Sequence, residues 1–273
     1  MTRHQAFHDL HGQGCFVIPN PWDAGSARIC AALGAKALAT SSAAHAFTLG
    51  RADLGGVSRD EALAHAEMIV AATALPVSGD FENGFADDPD GVAETIRLAA
   101  EAGLSGCSIE DTQMVAGAPA YDFSLSVERI RAAVAAARAL GRPFVLCARA
   151  DGVMNGSYDL SEGIRRLQAF EGAGADLLYL PVPPDRAGLA RVLASVTAPV
   201  NALAAGPLKA LSVAELASMG VRRISTGSQI ARVAHAAIRD AVTGMLRDGT
   251  FAGLRGAASG DEIDALLQSG AGT

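Results

Sequence analysis

Phe144-Val145-Leu146-Cys147-Ala148-Arg149-Ala150-Asp151 runs four apolar residues and an alanine straight into an arginine and an aspartate. A strand with one wet face alternates polar and apolar residues, whereas an unbroken run of this kind suits a parallel strand buried on both faces. The charged residues at its C-terminal end then belong to whatever opens there. The rest of the chain repeats the arrangement. Short β-rich runs at 15–19, 35–40, 76–81, 106–111, 144–150, 175–180, 199–203 and 222–226 each precede a stretch of helical composition. Ser58 with Glu61, Asp159 with Glu162 and Ser212 with Glu215 have capping-box spacing, and Asp88-Pro89 supplies a cap and a first-turn proline. Gly34, Gly103, Gly174 and Gly220 stand where a helix ends in a left-handed residue before the next strand. Eight right-handed β/α units predict a (β/α)8 TIM barrel, in preference to a doubly wound sheet, which needs a reversal of strand order. Beyond the eighth helix, near 231–246, an extra C-terminal segment reads as helical from Asp261 onward and suits contacts between subunits. No linker or low-complexity stretch divides the chain, so one barrel domain is expected over 1–273.

Composition agrees with this reading. The 273 residues match the roughly 250 of a typical α/β barrel, and 50% hydrophobic with 19% charged residues is the balance of a globular protein. A net charge of −7, with no cluster of Lys and Arg, argues against a nucleic-acid partner. No segment approaches the roughly 18 consecutive apolar residues of a membrane span, and residues 1–14 lack a signal-peptide core, so the cytoplasm is the expected compartment. Cys15, Cys30, Cys107 and Cys147 lie far apart, without Cys-x-x-Cys spacing, and read as free thiols.

In such a barrel, polar residues at strand C-termini carry functional meaning. Here they are acidic. Asp80 and Glu82 end the third strand, and their two-residue spacing predicts that both carboxylates share one face. Glu110 and Asp111 end the fourth strand, and Asp53 lies in the long loop after the second. Carboxylates converging at one mouth repel each other unless a cation joins them, and oxygen ligands without a histidine cluster favour Mg2+, or Mn2+, over Zn2+. Arg149 either forks onto a substrate carboxylate or pairs with one of these acids. Asn201, in the seventh strand, adds a hydrogen bond to substrate or serves the barrel. Trp22 walls the site or packs on the rim. His45 donates a proton or is structural. The small-residue loop Thr40-Ser41-Ser42-Ala43-Ala44 lets backbone amides approach a ligand oxygen. The chain has only two lysines, Lys36 and Lys209, neither placed for a Schiff base, so a carbonyl substrate would need the metal as its electron sink.

Leu49-Gly50-Arg51-Ala52-Asp53, Asp80-Phe81-Glu82-Asn83-Gly84-Phe85, Ser108-Ile109-Glu110-Asp111 and Ala148-Arg149-Ala150-Asp151 together resemble the isocitrate lyase and phosphoenolpyruvate mutase superfamily, over residues 7–245. The resemblance implies that Asp80 holds Mg2+ most directly. It implies that Asp53, Glu82 and Glu110 act through bound water, that Arg149 grips the carboxylate of a 2-oxo acid, and that amides near Ser42 and Ala43 meet its other end. It further implies chemistry through a metal-stabilised pyruvate enolate, and a homotetramer, or at least a homodimer, in which the last helix is exchanged between barrels.

One loop departs from the family. Residues 112–119, Thr-Gln-Met-Val-Ala-Gly-Ala-Pro, hold neither the Lys-Lys-Cys-Gly-like motif of the lyases nor the lysine of the mutases and phosphonate hydrolases. Strand six ends in Leu180-Pro181-Val182-Pro183, without the lyases' glutamate. The expected activity is therefore carbon–carbon cleavage that needs no loop thiol, above all decarboxylation of an oxaloacetate-like 2-oxo acid. Phosphonopyruvate-type C–P hydrolysis or rearrangement, and non-catalytic binding of 2-oxo acids, are the alternatives.

Overall fold

A computed structural model of the chain describes residues 1–115 and 117–272; Ala116, in the loop without lysine or cysteine, and Thr273 lie outside the described residues. Its strands are β1 (Phe16–Ile18), β2 (Leu38–Ala39), β3 (Val77–Asp80), β4 (Gly106–Glu110), β5 (Val145–Arg149), β6 (Leu177–Tyr179), β7 (Val200–Leu203) and β8 (Arg223–Ser225). All pair in parallel, in the order β1-β8-β7-β6-β5-β4-β3-β2, so the two ends of the sheet are consecutive in sequence. The ends meet. Ala39 N–H donates to Pro19 C=O at 3.0 Å, and Asn20 Nδ2 donates to Thr40 C=O at 2.7 Å. Asn20 Oδ1 in turn accepts from the backbone of Thr226 and Gly227, each at 2.9 Å. One amide side chain thus ties β1 to both neighbours where the ladder is shortest. The fold is a nearly closed (β/α)8 barrel, as the strand–helix repeat predicts, and all eight strands fall inside the expected segments.

The helices obey their local signals. Ser58 with Glu61 and Ser212 with Glu215 form reciprocal capping boxes. Asp159 caps the Glu162 N–H, but the Glu162 side chain turns instead to Arg165 and Arg166. Outside the sheet, Ile69, Ile96, Leu146, Leu167 and Phe170 belong to the main apolar layer, the larger share of the core. Inside, the N-terminal helix Arg3–Leu10 buries Phe7 in a cluster with Phe16, Val145 and Leu177. Full burial of such a ring is worth about 2–3 kcal/mol of transfer free energy.

Above that apolar layer the interior turns polar, with Ser78, Ser108, Asn201, Arg223 and Ser225 all buried on the strands. Branched aliphatic residues usually fill a barrel of this type. Their replacement by polar groups here marks the end where a ligand is received. The helix Gln229–Arg247 leaves Val233, Ile238 and Leu246 exposed, while the C-terminal helix Gly260–Ser269 lies against the helix Ala24–Ala32 of its own chain. No described helix is long and apolar enough to cross a membrane.

Candidate active site

A cavity of about 150 Å3 opens at the C-terminal ends of the strands, lined among others by Ser42, Asp53, Asp80, Ser108, Arg149 and Tyr179. Asp80, the last residue of β3, is fixed from three sides. Its Oδ2 accepts from the N–H and the hydroxyl of Ser42, both at 2.9 Å. Its Oδ1 accepts from Ser108 Oγ at 3.2 Å and from Arg149 Nη1 at 2.7 Å. The Ser42 amide, expected to meet a ligand oxygen, is therefore spent on Asp80, and Ala43 lines the cavity beside it. Ser41 caps the short helix Ser42–Thr48 through the Ala44 N–H and so sets this turn.

Arg149 stands at the centre of the acids. Besides Asp80, its Nη2 meets Glu110 at 2.8 Å and Asp151 at 2.6 Å, and Nε reaches Asp151 Oδ1 at 3.1 Å. Its guanidinium carbon lies 5.1 Å from the centre of the Tyr179 ring. Burial alone would lower the pKa of this arginine, but Asp151, Glu110 and Asp80 together outweigh it and raise it well above its ordinary value. Burial, reinforced by Asp151, Asp80 and Glu82, pushes the Glu110 carboxyl well up despite Arg149. Arg149 thus pairs with the acids while also lining the cavity. Behind it, Asp111 accepts from the Asp151 N–H at 2.9 Å, from Tyr158 Oη at 2.7 Å and from Arg166 Nη1 at 3.0 Å, which locks the β5 terminus in place.

Glu82 corrects the same-face expectation. β3 ends at Asp80, and Glu82 adopts a left-handed backbone with φ of 45°, so strand alternation does not extend to it. Such a conformation is costly for a side chain with a Cβ and recurs at functional sites. Its carboxyl does not line the main cavity but shares with Asp80 a second one of about 10 Å3, room for about one water-sized species. Burial, then the charge of Asp80, pushes Glu82 up to about 7. Its Oε2 is buried with no hydrogen-bond partner.

Asp53, on an exposed loop, reaches the cavity rim. Among the described residues no three His, Cys, Asp or Glu side chains stand assembled around one point, since Arg149 occupies the space between Asp80 and Glu110. The donor set nevertheless fits a hard cation. The cavity has no His or Cys in its lining, three carboxylates gather on the Arg149 guanidinium, and an unpartnered Glu82 carboxylate oxygen lies in the small cavity shared with Asp80.

Three expected residues lie elsewhere. Trp22 does not line the cavity; its carbonyl accepts from His65 Nε2 at 2.8 Å. His45 stacks on His65, ring centres 4.0 Å apart, behind the Ser42 turn, and burial with the neighbouring His65 lowers its pKa to about 4. It lines only the small cavity. Asn201 is 1% exposed, holding Ser225 Oγ and Arg223 Nε at 2.9 and 2.8 Å, so it serves the barrel interior and not the cavity surface. Sequence reasoning passed over Asn20, Tyr179, Arg223 and Ser225, all of which line the cavity. Asn20 follows a predicted strand, and Arg223 and Ser225 alternate along one; both signals were readable.

The family described as phosphoenolpyruvate phosphomutase matches residues 7–246. The chain belongs to the phosphoenolpyruvate mutase/isocitrate lyase superfamily. A Burkholderia cenocepacia J2315 protein described only as a lyase/mutase is 50% identical, with a TM-score of 0.92 over 96% of this chain and 94% of that one. The oxaloacetate decarboxylase of Paraburkholderia xenovorans (strain LB400) is 30% identical over 89% of this chain and 81% of its own length. The superfamily member 2,3-dimethylmalate lyase superimposes with a TM-score of 0.86 at 29% identity, covering 98% and 95% of the two chains.

Proposed function

We propose that this chain is a divalent-cation-dependent enzyme that breaks a carbon–carbon bond of a small 2-oxo acid through an enolate, with decarboxylation of oxaloacetate as the foremost reaction. The observation that carries the reading is the open acidic mouth: Asp80 held by Ser42, Ser108 and Arg149, beside a buried Glu82 oxygen without a partner. Asp80, supported by Glu82, Glu110 and Asp53, would hold Mg2+ or Mn2+, which when bound supplies electron withdrawal from the substrate carbonyl. The other roles fall to the protein. Asp151 keeps Nε and Nη2 of Arg149 fixed, so Nη1, now on Asp80, is the arm free to turn to a substrate carboxylate. The Tyr179 ring next to it helps keep that guanidinium partly dry, which strengthens its hold. In oxaloacetate the C3–C4 bond breaks, CO2 leaves, and the electron pair becomes the C2–C3 double bond of pyruvate enolate, which solvent later protonates.

Two features of the chain favour decarboxylation over the relatives' other reactions. Retro-aldol cleavage of a methylisocitrate-like acid turns the hydroxyl carbon into the carbonyl of the 2-oxo acid and leaves the bond's electron pair as a carbanion on the departing dicarboxylate. That carbanion needs a positioned proton donor, and residues 112–119 contain no cysteine or lysine. Loss of such a donor typically costs about 10²–10⁴-fold. His45, the other candidate, sits behind the Ser42 turn. The test is a substrate panel on metal-stripped protein resupplied with Mg2+: oxaloacetate, 2,3-dimethylmalate, 2-methylisocitrate and phosphonopyruvate, corrected for metal-catalysed decay of oxaloacetate. Oxaloacetate should turn over fastest. Faster phosphonopyruvate turnover would install C–P chemistry in its place, and Mg2+-dependent binding of 2-oxo acids with no turnover would make the protein a binder.

A further inference from the structure

Arg223 enters the cavity from the first position of β8 and is 4% exposed. Its Nε donates to Asn201 Oδ1 at 2.8 Å and its Nη2 to Cys147 Sγ at 3.4 Å. Nη1 is buried and has no partner. Both groups that hold it are neutral, and no carboxylate among the described residues comes within ion-pair distance of it. Arg149 is balanced by Asp80, Glu110 and Asp151, and Arg166 by Asp111 and Glu162. Arg129, also buried without an ion pair, is held by the carbonyls of Glu110, Asn83 and Ala86 and does not line this cavity, so Arg223 is the guanidinium without a countercharge that does. His11 lies close enough for the Arg223 charge to lower its pKa, but burial already holds that imidazole neutral, near 3, so it offers a lone pair and no countercharge. An unbalanced buried charge is costly unless something completes it. The cavity that Arg223 lines is where an anion would do so.

We propose that Arg223 is a second anion-recognition group, set below the acidic mouth, that selects ligands carrying two negative charges over those carrying one. This rests on the 2-oxo acid reading above and adds the substrate class to it. The group recognised is an anionic oxygen pointing to the cavity floor, either that of an enolate or that of a second carboxylate. Asn201 is its positioning residue, since its amide oxygen aims the guanidinium and its Nδ2 is anchored on Ser225.

The test is calorimetry on the full chain with Mg2+ and three stable probes: pyruvate with one charge, oxalate as a compact dianion resembling an enolate, and 2-oxoglutarate with a second carboxylate. Wild-type protein should bind at least one dianion more tightly than pyruvate. Arg223→Met should weaken that dianion by about 10- to 100-fold, the range of a lost charged hydrogen bond, while pyruvate changes less than about threefold. Loss confined to oxalate places the enolate oxygen on Arg223, and loss confined to 2-oxoglutarate places the distal carboxylate there. Asn201→Asp separates charge from packing: it sets a carboxylate of unchanged shape on Arg223 Nε and should reproduce the loss of discrimination, even where Arg223→Met folds poorly. Equal weakening of pyruvate and the dianions, or discrimination surviving in Asn201→Asp, overturns the proposal and leaves the mouth chemistry standing. Failure of wild-type protein to bind any of the three overturns both.

Discussion

Arg166→Met is the sharpest probe of how the site is supported. Arg166 Nη1 meets Asp111 Oδ2 and Ser126 Oγ, each at 3.0 Å, with both carboxylate and guanidinium almost wholly buried. Methionine keeps much of the length and the apolar stem but removes the charge. Asp111 then retains only Tyr158 and the Asp151 N–H as donors, in a place where burial already raises its pKa. Breaking a buried pair from one side costs about 3–5 kcal/mol, because the remaining charge stays desolvated. With an unfolding entropy of about 2.1 cal/mol/K per residue, a chain of 273 residues should lose about 5–9 °C in Tm. The assay is differential scanning calorimetry of wild type, Arg166→Met, Asp111→Asn and the double variant. The double variant should be more stable than the sum of its parts by at least about 1 kcal/mol, since it leaves no unpaired charge. A loss below about 1 kcal/mol in Arg166→Met, or strict additivity, would refute the claim that this pair anchors the β5 terminus.

Three other outcomes follow from the same geometry. Because burial and Asp80 raise Glu82 from 4.5 to about 7, the cation-free fold holds a proton that the unfolded chain has released, so stability should fall as pH rises from about 4.5 to about 7. Urea titrations in chelator should show a Glu82 share of at most roughly 3 kcal/mol, absent in Glu82→Gln. Asp80→Ala should abolish Mg2+-dependent binding of 2-oxo acids while leaving the far-UV circular dichroism unchanged, because Arg149 keeps Glu110 and Asp151; a variant that binds normally would move the site. Placing glutamate at Val233 and Leu246, which are 71% and 84% exposed, should convert an oligomer to monomers by light scattering, whereas a wild-type monomer would show that this face has no partner.

Much of the fold is legible in the sequence. Buried strands such as Phe144–Cys147 announce themselves because both faces are apolar, and the carboxylates at their ends stand out because little else there is charged. What escaped depends on geometry that a linear pattern does not contain. The Asp80–Glu82 spacing implied a shared face only as long as the strand continued, and the left-handed turn at Glu82 ends it. His45 and Trp22 are adjacent to site residues in sequence, yet His45 stacks on His65 and the Trp22 backbone carbonyl is bonded to the same ring. Asn201 looked like a ligand-facing strand residue because its real partner, Arg223, becomes its neighbour only through the β7–β8 register.

Two charge networks meet at the end of β5, and they differ in how their charges are balanced. Around Asp111 the account closes: Arg166, Tyr158 and the Asp151 N–H supply the donors, and one buried acid faces one buried guanidinium. Around Arg149 it stays open, with Asp80, Glu110 and Asp151 on a single guanidinium and an unpartnered oxygen on Glu82 next to them. A network shaped only for stability has no reason to carry surplus buried charge, which costs more than well-packed apolar residues would. Without a cation, protons neutralise part of the surplus, as at Glu82, and a bound cation would take their place. The two networks should therefore fail differently. Variants of the closed one lower Tm before they touch ligand affinity, while variants of the open one lose cation and ligand with the fold intact. Identical behaviour of Arg166→Met and Asp80→Ala in both assays would mean that the mouth is structural after all.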